Sequence, residues 1–418
     1  MQKKDCININ SCRLCNTKKI SNVFNIGDTP LANSYSKKNF TKKLRRYPLG
    51  LSLCNKCGHL QLTHSIKPTK IFSNYLYQTN TSYKNYLHFK EYARELDKFF
   101  KKKTVKILDI ASNDGTFLNF FNKKKYFRLG IDPAKNLKKI ARKKGIIQID
   151  DFFTKKKSYI LKKKYQQFDI ITANHVCAHV EDLSDFFYGV KNLLKSEGIF
   201  VFEVSYRGSV LKKNTFDTIY HEHLDYHALF PLLKFLKKFN LEIFDFKITE
   251  AQGGSLRVYV SKNLKYINKI KINNHIIKER INYKLFDINT YKKFKEKIDK
   301  CKYKLLKIFL YFKKKNLKIV GYGAAAKTTT FLSYFGLSEN KILKYVFDDN
   351  ILKQGLYLPG TKIKILSPKL LNLKKIDVII IFAWNYSDII IEKIKKKIKA
   401  QNKNIKFLIP FPNPRIIK

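Results

Sequence analysis

Three histidines stand close together in the stretch FDTIYHEHLDYHAL, residues 216–229. They are His221, His223 and His227, and Glu222 and Asp225 lie between them. Imidazole and carboxylate groups at this density could bind a metal, pack as structural side chains, or act as acid and base on a substrate. The spacing HEH differs from HExxH, in which one helical turn separates the two zinc-binding histidines. The stretch by itself leaves all three alternatives open.

Two CxxC pairs, CRLC and CNKC, form a candidate metal site near the start of the chain. Four thiolates in two such pairs suit tetrahedral structural zinc, and a short module with little core gains stability from the metal. A redox pair or a chance arrangement is the alternative. Cys6 is a substitute ligand to consider, whereas Cys177 and Cys301 stand in apolar settings typical of core thiols. The predicted zinc ligands are Cys12, Cys15, Cys54 and Cys57.

The stretch VKILDIASNDGTFLNFF, residues 105–121, has the order strand, tight loop, helix that is typical of cofactor sites. Asp109 opens DIASNDG, where the common methyltransferase pattern is DxGxGxG. Ala111 and Asn113 replace two of the glycines, and only Gly115 remains. The loop alone is therefore a weak match to a cofactor site.

Two further acidic positions strengthen the interpretation of a cofactor site. The next strand ends in GIDP, which places Asp132 where a carboxylate can accept both ribose hydroxyls of an adenosine. Asp151 and Phe152 follow the third strand and could flank an adenine. These features together predict a cofactor that contains adenosine.

The elements around these residues alternate between short apolar runs and amphipathic segments from Val105 onward. VKILDI, FRLGID, FDIITAN and IFVFEVSY are candidate strands, and helical patterns lie between them. This alternation predicts an α/β fold with a mostly parallel sheet covered on both faces. A lysine-rich amphipathic stretch follows at about residues 266–316, and a second α/β unit begins at LKIVGYG.

The charge of the chain is strongly positive, with 85 Lys and Arg against 32 Asp and Glu. Such a balance can indicate a polyanionic partner. The chain is also rich in Ile, Asn, Phe and Tyr, which share AT-rich codons with Lys, and its lysine runs are scattered. We therefore attribute the charge mainly to base composition and do not expect a nucleic-acid partner. No apolar run approaches the about 18 residues that span a bilayer, so we expect a soluble cytoplasmic protein without a membrane partner.

A series of motifs in order resembles the S-adenosylmethionine-dependent C-methyltransferases that act on nucleotide-linked 4-keto-deoxysugars. That family combines an N-terminal zinc-binding module, a central Rossmann-like class I methyltransferase domain and a second Rossmann-like α/β domain. The resemblance covers nearly the whole chain and also accounts for the unusual SNDG loop. The matching segments are the CxxC pairs, DIASNDG, ANHVCAHV, FDTIYHEHL, GGSLRV at 253–258, GYGAAAK at 321–327, DDNILKQGLYLPGT at 348–361 and AWN at 383–385.

The resemblance implies that a base removes the proton beside a ketone and that the resulting carbanion takes a methyl group. His223 is the implied base, with Tyr220 and Glu222 near the sugar, and His179 and Tyr77 complete the pocket. If YHEH were extended, Tyr220 and Glu222 would face away from His223, so a shared site needs a turn there. His221 is then expected to be structural, and His227 is left unassigned.

The resemblance also implies the remaining contacts and the domain boundaries. Arg257 and Lys327 are candidate partners of the substrate phosphates. The predicted domains are 1–72 for zinc, 73–262 for the methyltransferase and 263–418 for nucleotide-sugar binding, in a monomer. Methylation of a sugar oxygen, a sugar nitrogen or RNA, and a non-catalytic nucleotide-binding protein, are the alternatives. The predicted cofactor contacts are Asp109, Ala111, Asn113, Asp114, Gly115, Asp132, Asp151, Phe152 and Asn174.

Overall fold

The computed structural model describes residues 5–37, 44–72, 83–263, 267–338, 342–399 and 404–417. Its strands, in chain order, are β1 (Cys6–Asn8), β2 (Ile20–Pro30), β3 (Arg46–Cys54), β4 (Leu60–Leu62), β5 (His64–Ile66), β6 (Val105–Ile110), β7 (Tyr126–Ile131), β8 (Ile147–Ile149), β9 (Phe168–Asn174), β10 (Leu194–Ser205), β11 (Asp225–Tyr226), β12 (Glu242–Thr249), β13 (Ser255–Ser261), β14 (Ile319–Tyr322), β15 (Leu343–Phe347), β16 (Lys364–Leu366), β17 (Val378–Ile381), β18 (Lys406–Ile409) and β19 (Arg415–Ile417). Its α-helices are α1 (Pro68–Phe72), α2 (Tyr83–Asp97), α3 (Lys138–Lys143), α4 (Lys155–Tyr165), α5 (Leu183–Leu193), α6 (Arg207–Lys212), α7 (Leu229–Lys237), α8 (Lys269–Ile277), α9 (Ile288–Lys314), α10 (Ala326–Phe335) and α11 (Ser387–Lys399). Among these described elements, no helix combines the length and the apolar character that crossing a membrane requires.

The first compact unit comprises Met1–Ser21, Ser52–Ser209 and His223–Asp287. Its main sheet has seven strands in the order β12-β13-β10-β9-β6-β7-β8. Strands β6 to β10 pair in parallel, and β13 is antiparallel to both of its neighbours. The predicted mostly parallel sheet is confirmed, and β13 is its antiparallel strand.

The two faces of this sheet belong to separate cores, because successive side chains of a strand point in opposite directions. In β6, Leu108 and Ile110 join one apolar cluster, whereas Val105 and Ile107 join the other. Helix α4 begins at a side-chain cap, because Thr154 Oγ1 accepts a hydrogen bond from Lys157 N. Covered on both faces, β9 is buried along nearly its whole length.

The second compact unit comprises Asn22–Leu51, Val210–Glu222 and Ile288–Lys418. Its sheet has six strands in the order β16-β15-β14-β17-β18-β19, and only β19 is antiparallel to its neighbour. The chain steps outward from β14 in one direction and then continues on its other side at β17. Such a reversal makes a crevice at the carboxyl ends of β14 and β17. This unit is the second α/β fold that the sequence indicates.

Candidate active site

Four cysteine sulfurs form a compact cluster in the first unit. The Sγ atoms of Cys12, Cys15, Cys54 and Cys57 all lie within 4.8 Å of one another. Cys12 Sγ is 3.5 Å from Cys57 Sγ, and Cys15 Sγ is 3.6 Å from Cys54 Sγ. Four sulfurs about 2.3 Å from a tetrahedral zinc ion would be separated by similar distances. The cluster therefore fits structural zinc, and among the described residues Cys6 is not part of it.

The loop after β6 keeps the backbone conformation of a glycine motif although two of its glycines are replaced. Ala111 and Asn113 have φ angles of 56° and 52°, and Gly115 has 73°. Left-handed conformations cost an L-residue about 1 kcal/mol or more, so their presence here reflects a constraint on the loop. A Cβ on Gly115 would lie 2.6 Å from Ile146 Cδ1. The tight turn that brings backbone close to a cofactor is thus retained.

Two buried carboxylates flank this loop at the carboxyl ends of β6 and β7. Asp109 accepts a hydrogen bond from Thr172 Oγ1 at 2.7 Å. Asp132 accepts from Asn113 N at 2.9 Å and from Ala134 N at 2.8 Å. Burial, with a contribution from the charge of Asp132, raises the pKa of Asp109 to about 7, although the bond from Thr172 opposes the shift. The first of these carboxyl groups is therefore poised to change its charge near neutral pH.

An asparagine at the end of β9 has side-chain atoms that are available to bind a ligand. Both Nδ2 and Oδ1 of Asn174 are buried and have no hydrogen-bond partner within the described structure. Unsatisfied buried amides are costly and suggest a missing partner. Because β9 pairs directly with β6, Asn174 stands at the same sheet edge as the loop. The loop, the carboxylates and this amide together fit an adenosine cofactor.

Three other predicted cofactor residues have more varied surroundings. Asp114 is buried and lies 3.5 Å from Lys144 Nζ, so its charge is already paired within the protein. Asp151 forms an ion pair with Lys157 and accepts a hydrogen bond from Phe152 N at 2.8 Å. Both residues follow β8, as expected from the sequence. Their contacts with a cofactor stay predictions.

His179 and His223 lie together in the first unit. Their ring centroids are 4.9 Å apart in an edge-to-face arrangement, and the ring centroid of Phe72 lies 5.7 Å from that of His179. Both histidines are partly exposed, whereas His227 is buried and its Nε2 lies 3.1 Å from Cys177 O. Burial lowers the pKa of His227 to about 4. His227 is therefore neutral at physiological pH, and the pair of His179 and His223 is the better placed to exchange protons with a substrate.

The other predicted catalytic residues, Tyr220, Glu222 and Tyr77, do not lie in the described part of the first unit. Residues 220–222 form a bend and turn, so YHEH is not extended. Glu222 is in the second unit and accepts a hydrogen bond from Asn33 Nδ2 at 2.6 Å, and Tyr220 belongs to the same unit. His221 is buried with its Nε2 3.3 Å from the carbonyl oxygen of Tyr47, which fits the structural role expected for it. Tyr77 lies outside the described residues.

Arg257 is the centre of a buried charge network that sequence reasoning missed. Its guanidinium is 2.9 Å from Glu203 Oε2 and 3.1 Å from Glu95 Oε2, and it lies 3.4 Å over the ring of Tyr92. His88 Nε2 is 2.8 Å from the other oxygen of Glu203. Two carboxylates thus neutralise Arg257, and its contact with a substrate phosphate stays a prediction. In the sequence, the charged residue Glu203 within the apolar run IFVFEV indicates that a buried partner of opposite charge is present.

Lys327 lies in the second unit at the crevice between β14 and β17. Its Nζ is buried without a hydrogen-bond partner among the described residues and lies 4.9 Å from the ring centroid of Trp384. Trp384 Nε1 donates to Asp217 Oδ2 at 2.6 Å, and Asp217 Oδ1 is likewise buried and unpartnered. Burial lowers the pKa of Lys327, although Asp217 opposes the shift. This unit therefore contains a buried ammonium and a buried carboxylate oxygen that interact electrostatically and that both lack a hydrogen-bond partner among the described residues.

Three family models match consecutive parts of the chain. They describe a zinc binding domain at residues 12–72, a methyltransferase domain at 83–245 and a C-methyltransferase C-terminal domain at 250–412. The curated C-methyltransferase NovU of Streptomyces niveus is 26% identical over 411 residues, which cover 98% of this chain and 97% of that protein.

Solved structures of methyltransferases resemble part of the chain. An S-adenosylmethionine-dependent methyltransferase of Clostridium acetobutylicum is 19% identical with a TM-score of 0.34, covering 44% of this chain and 92% of its own. Magnesium protoporphyrin IX methyltransferase of Synechocystis is 11% identical with a TM-score of 0.35, covering 44% of this chain and 89% of its own.

The family models and the near full-length relative agree with the cysteine cluster and the cofactor loop. The cluster accounts for zinc, and the loop and carboxylates account for S-adenosylmethionine. The chain is an S-adenosylmethionine-dependent methyltransferase that joins a zinc-binding domain, a methyltransferase domain and a C-methyltransferase C-terminal domain.

Proposed function

We propose that the chain methylates a carbon next to the ketone of a nucleotide-linked 4-keto-deoxysugar. The observation that carries the proposal is the pair of His179 and His223, whose rings lie 4.9 Å apart in the same unit as the cofactor loop. Carbon becomes nucleophilic when it loses a proton, and a ketone makes the adjacent proton acidic enough for a histidine to remove. Two partly exposed imidazoles in contact are suited to this proton transfer.

In the proposed reaction, residues of the chain supply the base and the route by which the proton leaves. His223 takes the proton from the carbon beside the ketone, and the electron pair of that bond becomes the enolate. S-adenosylmethionine supplies the electrophilic methyl group when bound. The enolate carbon forms the new bond to methyl, the carbon–sulfur bond breaks, and S-adenosylhomocysteine leaves. The proton on His223 returns to solvent, and His179 beside it is the proposed route.

The second unit is proposed to hold the nucleotide part of the substrate. Lys327 is on the first turn of α10, and its buried Nζ has no hydrogen-bond partner among the described residues. An ammonium beside a helix N-terminus suits a phosphate oxygen. The neighbouring Asp217 limits this attraction, because its carboxylate would repel the same anion. The contacts of Tyr220 and Glu222 with the ketone stay predictions.

The acceptor can be identified with isotopically labelled S-adenosylmethionine. The full chain, loaded with zinc, is incubated with a panel of nucleotide-linked 4-keto-6-deoxysugars and with the corresponding sugars that lack the ketone. Label is expected in a carbon-bound methyl group, and only with the keto compounds. Label on oxygen or nitrogen, or transfer to the sugars without a ketone, would contradict the proposed carbanion chemistry. Transfer to RNA in the same assay would favour the alternative acceptor class.

We expect the affinity for S-adenosylmethionine to rise with pH because of Asp109. Its pKa of about 7 leaves the buried carboxyl mostly neutral at pH 6 and mostly ionised at pH 8. The ionised form attracts the cationic cofactor, so affinity should increase by about tenfold across this range and binding below pH 7 should release a proton. Calorimetry in buffers of different ionisation enthalpy measures both effects.

The matched control for this titration is Asp109→Asn, whose side chain stays neutral. The cofactor's own amine also titrates, so the comparison between the two proteins isolates the contribution of Asp109. The variant should show a flatter pH dependence and smaller proton release. Equal pH dependence in the two proteins would exclude Asp109 as the titrating group.

A further inference from the structure

The zinc knuckle formed by Cys12 and Cys15 contains Arg13, whose guanidinium bonds to residues outside the cysteine cluster. Arg13 Nε donates to both carboxylate oxygens of Asp225, at 2.9 and 3.1 Å. Its Nη1 donates to Glu181 O at 3.0 Å, and its Nη2 donates to Val180 O at 2.5 Å. A single planar guanidinium thus holds two segments that are far apart in the sequence.

These two segments carry the histidine pair. Val180 and Glu181 directly follow His179, and Asp225 is two residues beyond His223. The segments also bond directly to each other: Leu224 N donates to Ala178 O at 2.7 Å. Arg13 therefore braces the backbone on both sides of the contact between the two imidazole rings.

The brace is buried, which makes its geometry restrictive. The side chain of Asp225 is fully buried, and that of Arg13 is only 10% exposed. His59, which follows the second knuckle, places its Nε2 2.8 Å from Asp225 Oδ1. A carboxylate held this way has few alternative positions, since leaving its partners would strand a charge away from water. Asp225 is thus held from both knuckles.

A strand pairing adds a second link between the cysteine cluster and the histidine segment. Strand β4 follows the second knuckle and pairs antiparallel with β11, in the register Asp225↔Gln61. Gln61 Oε1 accepts a hydrogen bond from Arg13 N at 2.8 Å. The backbone of Arg13 lies between two cysteines of the cluster, so its position depends on how that cluster is held.

We propose that the zinc knuckle positions the catalytic histidines, with Arg13 as the positioning residue that transmits the order of the metal site to His179 and His223. The catalytic importance of the pair rests on the proposed function, whereas the mechanical link does not. Loss of Arg13, or of zinc, removes this link and makes the direct hydrogen bonds between the segments 176–181 and 223–226, such as Leu224 N to Ala178 O, easier to open. The metal-binding module then serves catalysis as well as stability.

Hydrogen–deuterium exchange of the full, zinc-loaded chain tests the link without any substrate. In Arg13→Gln we expect exchange of Leu224 and the neighbouring amides in these two segments to rise by about tenfold or more, because the local opening that exposes them becomes easier. Zinc content and exchange in β6 and β7 should remain unchanged. Lys56→Gln is the matched control, because it removes a positive charge from an exposed position in the other knuckle.

Equal exchange in Arg13→Gln and Lys56→Gln would overturn the proposal. If Arg13→Gln does not fold, the same amides are followed in the unmodified chain after zinc is removed by a chelator and then restored. Exchange that rises and returns with zinc supports the link, and exchange that stays constant contradicts it. Asp225→Asn, which keeps the shape of the side chain, provides an independent variant.

Kinetics separate positioning from general stability once an acceptor is known. Arg13→Gln should lower kcat by about tenfold with an unchanged KM for S-adenosylmethionine, since the cofactor loop does not depend on the brace. Arg13→Lys keeps the positive charge but loses the planar guanidinium that bonds to several acceptors at once. It should therefore recover part of the rate. If no keto-sugar acceptor is methylated, the proposed function is refuted. The hydrogen–deuterium exchange test of the link through Arg13 is unaffected, because it uses no substrate.

Discussion

Replacing His223 with asparagine should lower kcat for methyl transfer by about a thousandfold and leave S-adenosylmethionine binding unchanged, because a general base contributes 10²–10⁴ to the rate. Asparagine keeps hydrogen-bonding groups at the position but cannot accept a proton at neutral pH. The residue is partly exposed and lies at the end of a turn, so the substitution should not disturb the core. Calorimetric binding of the cofactor and single-turnover rates measure the two quantities separately.

Solvent exchange at the substrate carbon isolates the proton-transfer step from methyl transfer. With S-adenosylhomocysteine in place of the methyl donor, the proton beside the ketone should exchange with deuterium in the unmodified protein and not in His223→Asn. His64→Asn is the matched control, because His64 is also partly exposed in the same unit but its Nδ1 lies 2.9 Å from Thr63 Oγ1, outside the histidine pair. Exchange that persists in His223→Asn would assign the base to another residue.

The contact between the rings of His179 and His223 raises the question of whether His179 takes part in proton transfer, and this can be measured. If His179 assists His223, removing either one should cost about as much as removing both, as is found for residues that act as a unit. If His179 only packs against His223 and Phe72, the two effects should be additive. A double-mutant cycle on the exchange rate distinguishes these roles.

Local sequence patterns predicted the elements that position the site because each pattern is contained within one element. Buried parallel strands such as FDIITAN carry apolar residues on both faces, and the CxxC pairs supply their ligands within a few residues. The glycine replacements were harder to interpret. Ala111 and Asn113 weaken the match of the sequence to the glycine motif. Both residues nevertheless adopt the left-handed backbone conformation that the motif requires.

The remaining features depend on contacts between distant segments, which local patterns do not encode. Residues 22–51 and 210–222 group with the C-terminal sheet, so the two compact units cut across the three predicted domain ranges, and those boundaries stay predictions. Arg13 is linked to Asp225, and Arg257 to Glu203, across long stretches of chain. In each case the sequence shows a charged residue in an unusual place but not the partner that explains it.

The pairing of Arg257 with Glu203 leads to the second large expected effect, on stability. Arg257→Met should lower the free energy of unfolding by about 3–5 kcal/mol, because Glu203 would be left buried without its main counter-charge. Glu203→Gln with Arg257→Met should cost less than Arg257→Met alone, since the double variant buries no unpaired charge. Urea unfolding followed by circular dichroism measures these differences. Lys271→Met, which removes the partly exposed partner of Asp245, is the control and should change stability by less than about 1 kcal/mol.

The same network predicts how stability depends on pH. Burial favours the neutral acid, but His175, His88 and the charge of Arg257 outweigh it and hold the pKa of Glu203 well below its usual range. A carboxyl group with a depressed folded-state pKa stabilises the protein above its unfolded pKa of about 4.3, and this stabilisation is lost as pH falls. The unmodified chain should therefore lose stability below about pH 5 more steeply than Glu203→Gln. Parallel acid titrations of the two proteins would contradict the assignment of Glu203 as an ionised, buried anchor for Arg257.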